Sequence, residues 1–191
     1  MERIDPKIDT DVIHHLLDMG YGSMANYIVP GLTSTIIGQD PLPSASAKIR
    51  IFRNTRTQDM PITPHSHRFD LACMVLQGSV DNTTYQQYAA GMEKWSDEFM
   101  VSKLVYGGEP GKYEREEIET RRYGRITKTY QPGQWYFMHH NEIHSIQFSK
   151  DAVVLVFEGD SVTDESIILE PHVDGRTMRT FRVEDWMFKA Y

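Results

Sequence analysis

Beyond its first twenty residues, the chain is cut by glycine and proline at intervals too short for long helices. Pro30-Gly31, Gly38 with Pro41, Gly107-Gly108 with Pro110-Gly111, and Pro132-Gly133 each mark a turn. Between them lie runs rich in β-branched and aromatic residues, at 27–29, 32–37, 48–53, 79–88, 98–106, 135–138 and 143–148. Segment 113–130 is long and polar, but Gly124 and its threonines oppose a helix, so an extended ribbon is expected. Residues 152–157, AVVLVF, are apolar throughout and fit a short, fully buried strand. Helical spacing is confined to about 9–20, where Val12, Ile13, Leu16 and Leu17 recur on one side. Asp9, Thr10 or Asp11 caps that helix, and Gly20 and Gly22 end it. The expected fold is all-β, a sandwich or barrel with a short N-terminal helix. A parallel α/β sheet would need alternating helices, and these are missing.

A chain of 191 residues predicts one domain over 1–191, with the helical arm at about 9–20 and a C-terminal extension at about 162–191. That extension ends in Trp186, Phe188 and Tyr191, which are expected to pack back on the body. The formal charge of −7 gives no electrostatic case for nucleic acid. The local basic group Arg121, Arg122 and Arg125 follows Glu114, Glu116, Glu117 and Glu119, and reads as mixed, solvated surface. Cys73 is the only cysteine, which excludes an intrachain disulfide and any Cys-x-x-Cys motif. No stretch has the length to span a membrane, and the charged start MERIDPKIDTD lacks a signal-like apolar region. The plain expectation is a cytoplasmic protein that acts on a small molecule, compatible with a homodimer.

Chemistry concentrates in two histidine clusters. In PITPHSHRFDLACMVLQG, His65 and His67 are two residues apart, so on an extended segment they face the same side. His139, His140 and His144 lie far along the chain, after a run that reads as a strand. If the fold returns His144 to His65 and His67, three imidazoles converge on one ion. Neutral imidazoles suit iron, zinc, nickel and copper, and three protein ligands leave positions open for water, substrate or O₂. Such a set adds no ligand charge, so the ion would favour an anionic substrate such as a thiolate or carboxylate. Asp70, in the same stretch, is a further candidate ligand that would instead make the set resemble the 2-His-1-carboxylate arrangement of non-haem iron oxygenases. The helical signature His-Glu-x-x-His is absent, because His140 is followed by Asn141 and strand-like flanks.

The two clusters resemble the two short motifs of the cupin family. His65, His67 and Gly78 are in register with the first motif, while Leu71 stands where a glutamate is usual. Pro132, Gly133 and His144 are in register with the second, while His139 replaces a usual proline, Asn141 a usual glycine and Phe148 a frequent asparagine. The motifs frame the region 65–148, and flanking strands extend the likeness over most of 27–160. The resemblance implies a double-stranded β-helix (the cupin jelly-roll barrel) with His65, His67 and His144 as ligands of one divalent metal. Fe(II) is the first choice, and zinc, manganese or nickel fit the same donors. A three-histidine set is similar to that of the thiol dioxygenases, which add O₂ to a small thiol. The absent glutamate leaves three readings open: three histidines alone, Asp70 as the substitute carboxylate, or a barrel that no longer binds metal.

Other residues enter as candidates. Tyr136, just before the second cluster, and Tyr85, after the first, are the phenols placed to donate a proton or orient oxygen. Cys73 shares the parity of the histidines and reads as a small buried hydrophobe lining the interior. Arg50 and Arg53 read as surface charges, with a carboxylate clamp as the functional option. The function expected is metal-dependent oxidation of a small anionic substrate. The alternative is a non-catalytic ligand-binding or interaction module on the same barrel.

Overall fold

The computed structural model describes residues 9–41, 46–87, 96–107, 113–173 and 176–177. Among these the chain forms one helix, α1 (Thr10–Asp18), and twelve strands. The strands are β1 (Gly22–Met24), β2 (Leu32–Gln39), β3 (Lys48–Asn54), β4 (Leu71–Gln77), β5 (Val80–Gln87) and β6 (Asp97–Tyr106). There follow β7 (Tyr113–Tyr130), β8 (Trp135–Met138), β9 (Ile143–Phe148), β10 (Val153–Glu158), β11 (Glu165–Val173) and β12 (Arg176–Thr177). They assemble into two six-stranded sheets, β1-β2-β3-β10-β4-β8 and β12-β11-β6-β7-β5-β9, in which every pair is antiparallel. The expected all-β class and the short N-terminal helix are both present. Trp186, Phe188 and Tyr191 lie outside the described residues.

Strand β10 shows why its sequence is apolar on both parities. Val154 and Val156 face an inner core with Cys73, Val75, Tyr136, Met138 and Phe148. Val153 and Leu155 face the other way, onto Leu76, Ile51 and Ile13 of α1. The helix therefore covers the outer face of the first sheet, and β10 is buried between two apolar layers. Asp9 caps α1, its carboxylate accepting from Asp11 N at 3.0 Å.

Segment 113–130 is the expected ribbon, and β7 serves two neighbours. Its Tyr113–Tyr123 half pairs with β6, and its Tyr123–Tyr130 half pairs with β5. Between β4 and β5 the chain reverses at Gly78, whose φ is +70°. A Cβ there would meet Ser149 Oγ at 2.6 Å and Ala152 Cα at 2.9 Å, so backbone conformation and close approach both demand glycine.

Candidate metal centre

The stretch between β3 and β4 departs from the strand read in the sequence. Residues 61–70 form isolated bridges only, and β4 starts at Leu71. The physical reason is that this stretch lies between two strands and bonds to each in turn. On one side His65 N donates to His144 O at 2.8 Å, and His144 N donates back to His65 O at 2.9 Å. On the other, Ser66 N donates to Ile167 O at 2.8 Å and Leu169 N to Pro64 O at 2.9 Å. Residues directly opposed in an antiparallel pair project to one face, so the His65 and His144 rings meet. His67, two residues further on, joins them. Ring centroids are 4.7 Å apart for His65–His67, and 5.1 Å for both His65–His144 and His67–His144. The three side chains form a group whose ligand atoms all lie within 4.8 Å of one another.

Two of the rings are oriented from behind. His144 Nδ1 donates to the buried Asn82 Oδ1 at 2.7 Å, and His65 Nδ1 donates to Thr63 O at 2.7 Å. Both bonds leave Nε2 as the lone-pair nitrogen, the arrangement that outer partners impose on metal-ligating histidines. His67 Nε2 lies 2.9 Å from His144 Nε2. Neighbouring vertices of an octahedron with bonds of roughly 2.1 Å are about 3.0 Å apart. The donor set therefore fits a divalent ion held on one side and open on the other. Burial lowers the pKa of His65, and lowers those of His67 and His144 well below the usual histidine value. All three are neutral at physiological pH, the form that binds metal.

The rings lie on a cavity of about 250 Å³, whose walls include Tyr27, Phe52, Phe69, Leu71, Cys73 and Tyr136. This is just under the roughly 300 Å³ at which drug-sized ligand sites begin, and suits a smaller molecule. Charge on the wall is uneven. Lys48, Arg50 and Arg68 line the cavity against one carboxylate, Glu158. Arg50 Nε lies 2.8 Å from Glu158 Oε1, an ion pair off the N–H axis, and its Nη1 donates to Ser34 Oγ at 3.1 Å. Among the described residues, Lys48 and Arg68 have no ion pair; the Arg68 guanidinium lies 4.4 Å above the Tyr106 ring.

The remaining expected site residues separate. Tyr136 is buried on the cavity wall, opposite Cys73 in the β4–β8 ladder and paired with its thiol. Burial pushes the Cys73 thiol up to about 12 and Tyr136 well above the usual phenol value, so both stay protonated at neutral pH. Tyr85 points elsewhere: its hydroxyl is 3.2 Å from Ser145 Oγ and its ring packs on Phe99. Asp70 is not brought to the three rings. Its carboxylate accepts from His140 N, and with His139 and His140 it forms a separate group. Leu71, at the position of the usual glutamate, is buried in the inner core. Arg50, read as a surface charge, is buried on the cavity wall, while Arg53 is exposed.

Sequence reasoning missed Asn82, Lys48 and Arg68. Asn82 alternates with the buried Val80 in β5, so an amide at an inward position was its only signal. Arg68 follows His67 directly and has no spacing signal of its own.

No protein-family model matches the chain, and no curated protein matches it. Solved structures overlap it in part. Streptomyces albus HEPD, solved with 2-hydroxyethylphosphonate and Fe(II), is 13% identical with a TM-score of 0.43 over 74% of this chain and 24% of its own. KdgF from Halomonas sp. is 17% identical, TM-score 0.38, over 73% of this chain and 88% of its own. A chain in the structure of Drosophila melanogaster CENP-C bound to CAL1 is 13% identical, TM-score 0.41, over 78% of this chain and 94% of its own. The chain thus spans about a quarter of the length of HEPD. Among the described residues no helix is long and apolar enough to cross a membrane.

Proposed function

We propose that the two sheets are the halves of a cupin-type double-stranded β-helix, and that His65, His67 and His144 hold one divalent ion, Fe(II) by preference. The reading continues to a non-haem, dioxygenase-type oxidation of a small anionic substrate such as a thiol. The observation that carries it is the trio of neutral imidazoles on the cavity wall, two of them with Nδ1 already engaged and Nε2 left as the lone-pair nitrogen. A ferrous ion there would supply activation of O₂.

The chain's own residues would bind and orient. Lys48 and Arg68 offer the cavity a positive excess, which favours an anionic group on the ligand. Phe52, Phe69 and Leu71 would hold its apolar part and exclude water. The Tyr136 hydroxyl, kept protonated by burial, is a hydrogen-bond donor within the same cavity.

Elemental analysis of untagged protein, purified anaerobically without chelator, is the first test. Near one equivalent of iron, with O₂ uptake when small thiols or carboxylates are added, supports the reading. A second reading, a non-catalytic binding module, is favoured by the 2.9 Å approach of His67 Nε2 to His144 Nε2, which a hydrogen bond without metal also satisfies. Anion binding by metal-free protein, with no uptake of iron, manganese, nickel or zinc, would decide for it.

A further inference from the structure

A second set of ligand-type side chains lies outside the cavity. Asp70 Oδ1 accepts from His140 N at 2.8 Å and from His140 Nδ1 at 3.1 Å, and lies 3.8 Å from His139 Nδ1. Two adjacent residues of an extended chain point to opposite sides. Here the chain turns directly after β8, and the two imidazoles end 4.4 Å apart on the same carboxylate. The backbone fixes all three residues. Leu71 pairs with Met138 in the β4–β8 ladder, and one step beyond that pair sets Asp70 across from His139. Gly159 N donates to Asp70 O at 3.0 Å, and Glu142 N donates to His139 O at 2.9 Å. The Glu142 carboxylate accepts from His139 N at 2.6 Å, and Asn141 Oδ1 lies 3.1 Å from His139 Nδ1.

The dimensions suit a cation. A tetrahedral ion with bonds of roughly 2.1 Å sets its ligands about 3.4 Å apart. The two Asp70–histidine separations, 3.1 and 3.8 Å, fall on either side of that value. Two imidazole nitrogens and a carboxylate oxygen are a donor set for zinc, nickel and copper(II). The hydrogen bonds from His140 hold the Asp70 carboxyl below the usual carboxylate range, so it is ionised at neutral pH. Asp70 and His139 are each 57% exposed, which lets water complete the shell and the ion exchange with solvent.

We propose that Asp70, His139 and His140 form a second divalent-cation site, of the zinc class, on the outside of the fold. On loading, the ring protons of His139 and His140 move from Nδ1 to Nε2, and the hydrogen bonds from Nδ1 to Asn141 and Asp70 give way to coordination of the two rings and the carboxylate. The ion ties the start of β4 to the turn between β8 and β9. Because His140 O accepts from His67 N at 2.9 Å, the same tie steadies the segment that carries His67.

Zinc titration of the metal-free protein against a competing chromophoric chelator tests this. Wild type is expected to take up two equivalents. Asp70→Asn, which keeps an oxygen for His140 N, and His139→Ala should each weaken one equivalent at least tenfold and leave the other intact. His67→Ala should do the reverse, and removing the exposed pair His14 and His15 should change neither. Circular dichroism checks that each variant is folded. Equal stoichiometry and affinity in wild type, Asp70→Asn and His139→Ala overturn the proposal. If wild type binds a single zinc, loss in His139→Ala supports the outer site and removes the inner one, and loss only in His67→Ala overturns the outer one. No zinc at all removes both.

Discussion

Asn82 sets the orientation of His144. Its Oδ1 accepts the Nδ1 proton, and its amide lies 3.3 Å from Met138 Sδ, so both ends of the side chain are engaged inside the fold. Outer partners of this kind are worth about 10–100-fold in metal affinity. Asn82→Ala should therefore weaken metal binding by about that factor in a chelator competition, with the secondary structure unchanged; equal affinity would remove Asn82 from the site. Leaving His144 N–H unpaired in the interior should also cost about 1–3 kcal/mol of stability. Asp70 gives a pH signature. Its folded pKa is depressed by His140, so its contribution is complete above the unfolded value, about 3.9, and is lost as pH falls through the lowered folded value. The Tm of wild type should exceed that of Asp70→Asn at neutral pH, and the gap should close below pH of about 4. A gap independent of pH would mean that Asp70 acts without its charge.

Among the elements, β10 carries the heaviest packing duty, since it separates the inner core from the layer under α1. Val154→Ala, at a fully buried position, should cost about 2 kcal/mol in denaturant unfolding, from lost transfer energy plus an unfilled cavity. This element was legible in the sequence, because AVVLVF is apolar on both parities. So were α1, with Asp9 as one of three candidate caps, and the ribbon of β7. The stretch 61–70 was legible only in part. Its prolines and alternating histidines indicate extension, but its bonds go to β9 and β11, and no local pattern encodes partners so distant. The place of Asp70 was left open for a related reason: its sequence position allows a substitute carboxylate only if the chain turns after His67, and its pairing across from His139 and toward His140 is set by the β4–β8 ladder. Lys48 and Arg68 were invisible as a pair because their shared cavity exists only after both sheets have formed.

At the scale of the whole molecule, charge is distributed against the average. A chain of net −7 encloses a cavity lined by three cationic side chains and one carboxylate. Anionic ligands should therefore bind more weakly as salt is raised, though less steeply than at an open surface. Arg68→Ala should weaken a small carboxylate or thiolate about tenfold, as read by Kd or KM, and leave the metal content unchanged. An unaltered affinity would take Arg68 out of ligand recognition. Metal loading should raise the Tm of wild type by more than that of His144→Ala, in which only the separate group Asp70, His139 and His140 is left to bind the folded state.

The lacing of residues 62–67 between β9 and β11 has a consequence for biosynthesis. His67 and His144 are 77 residues apart, and the other border of the His65 segment is β11, which begins only at Glu165. Closing such loops is slow relative to local pairing. While the ribosome is still making β10, the histidines of the first cluster have been emerging without their flanking strand. The pocket is thus among the last parts of the protein to be born, and a nascent chain halted before β11 would carry every histidine of the trio but lack the bonds from Ser66 to Ile167 and from Leu169 to Pro64 that hold the other side of their segment.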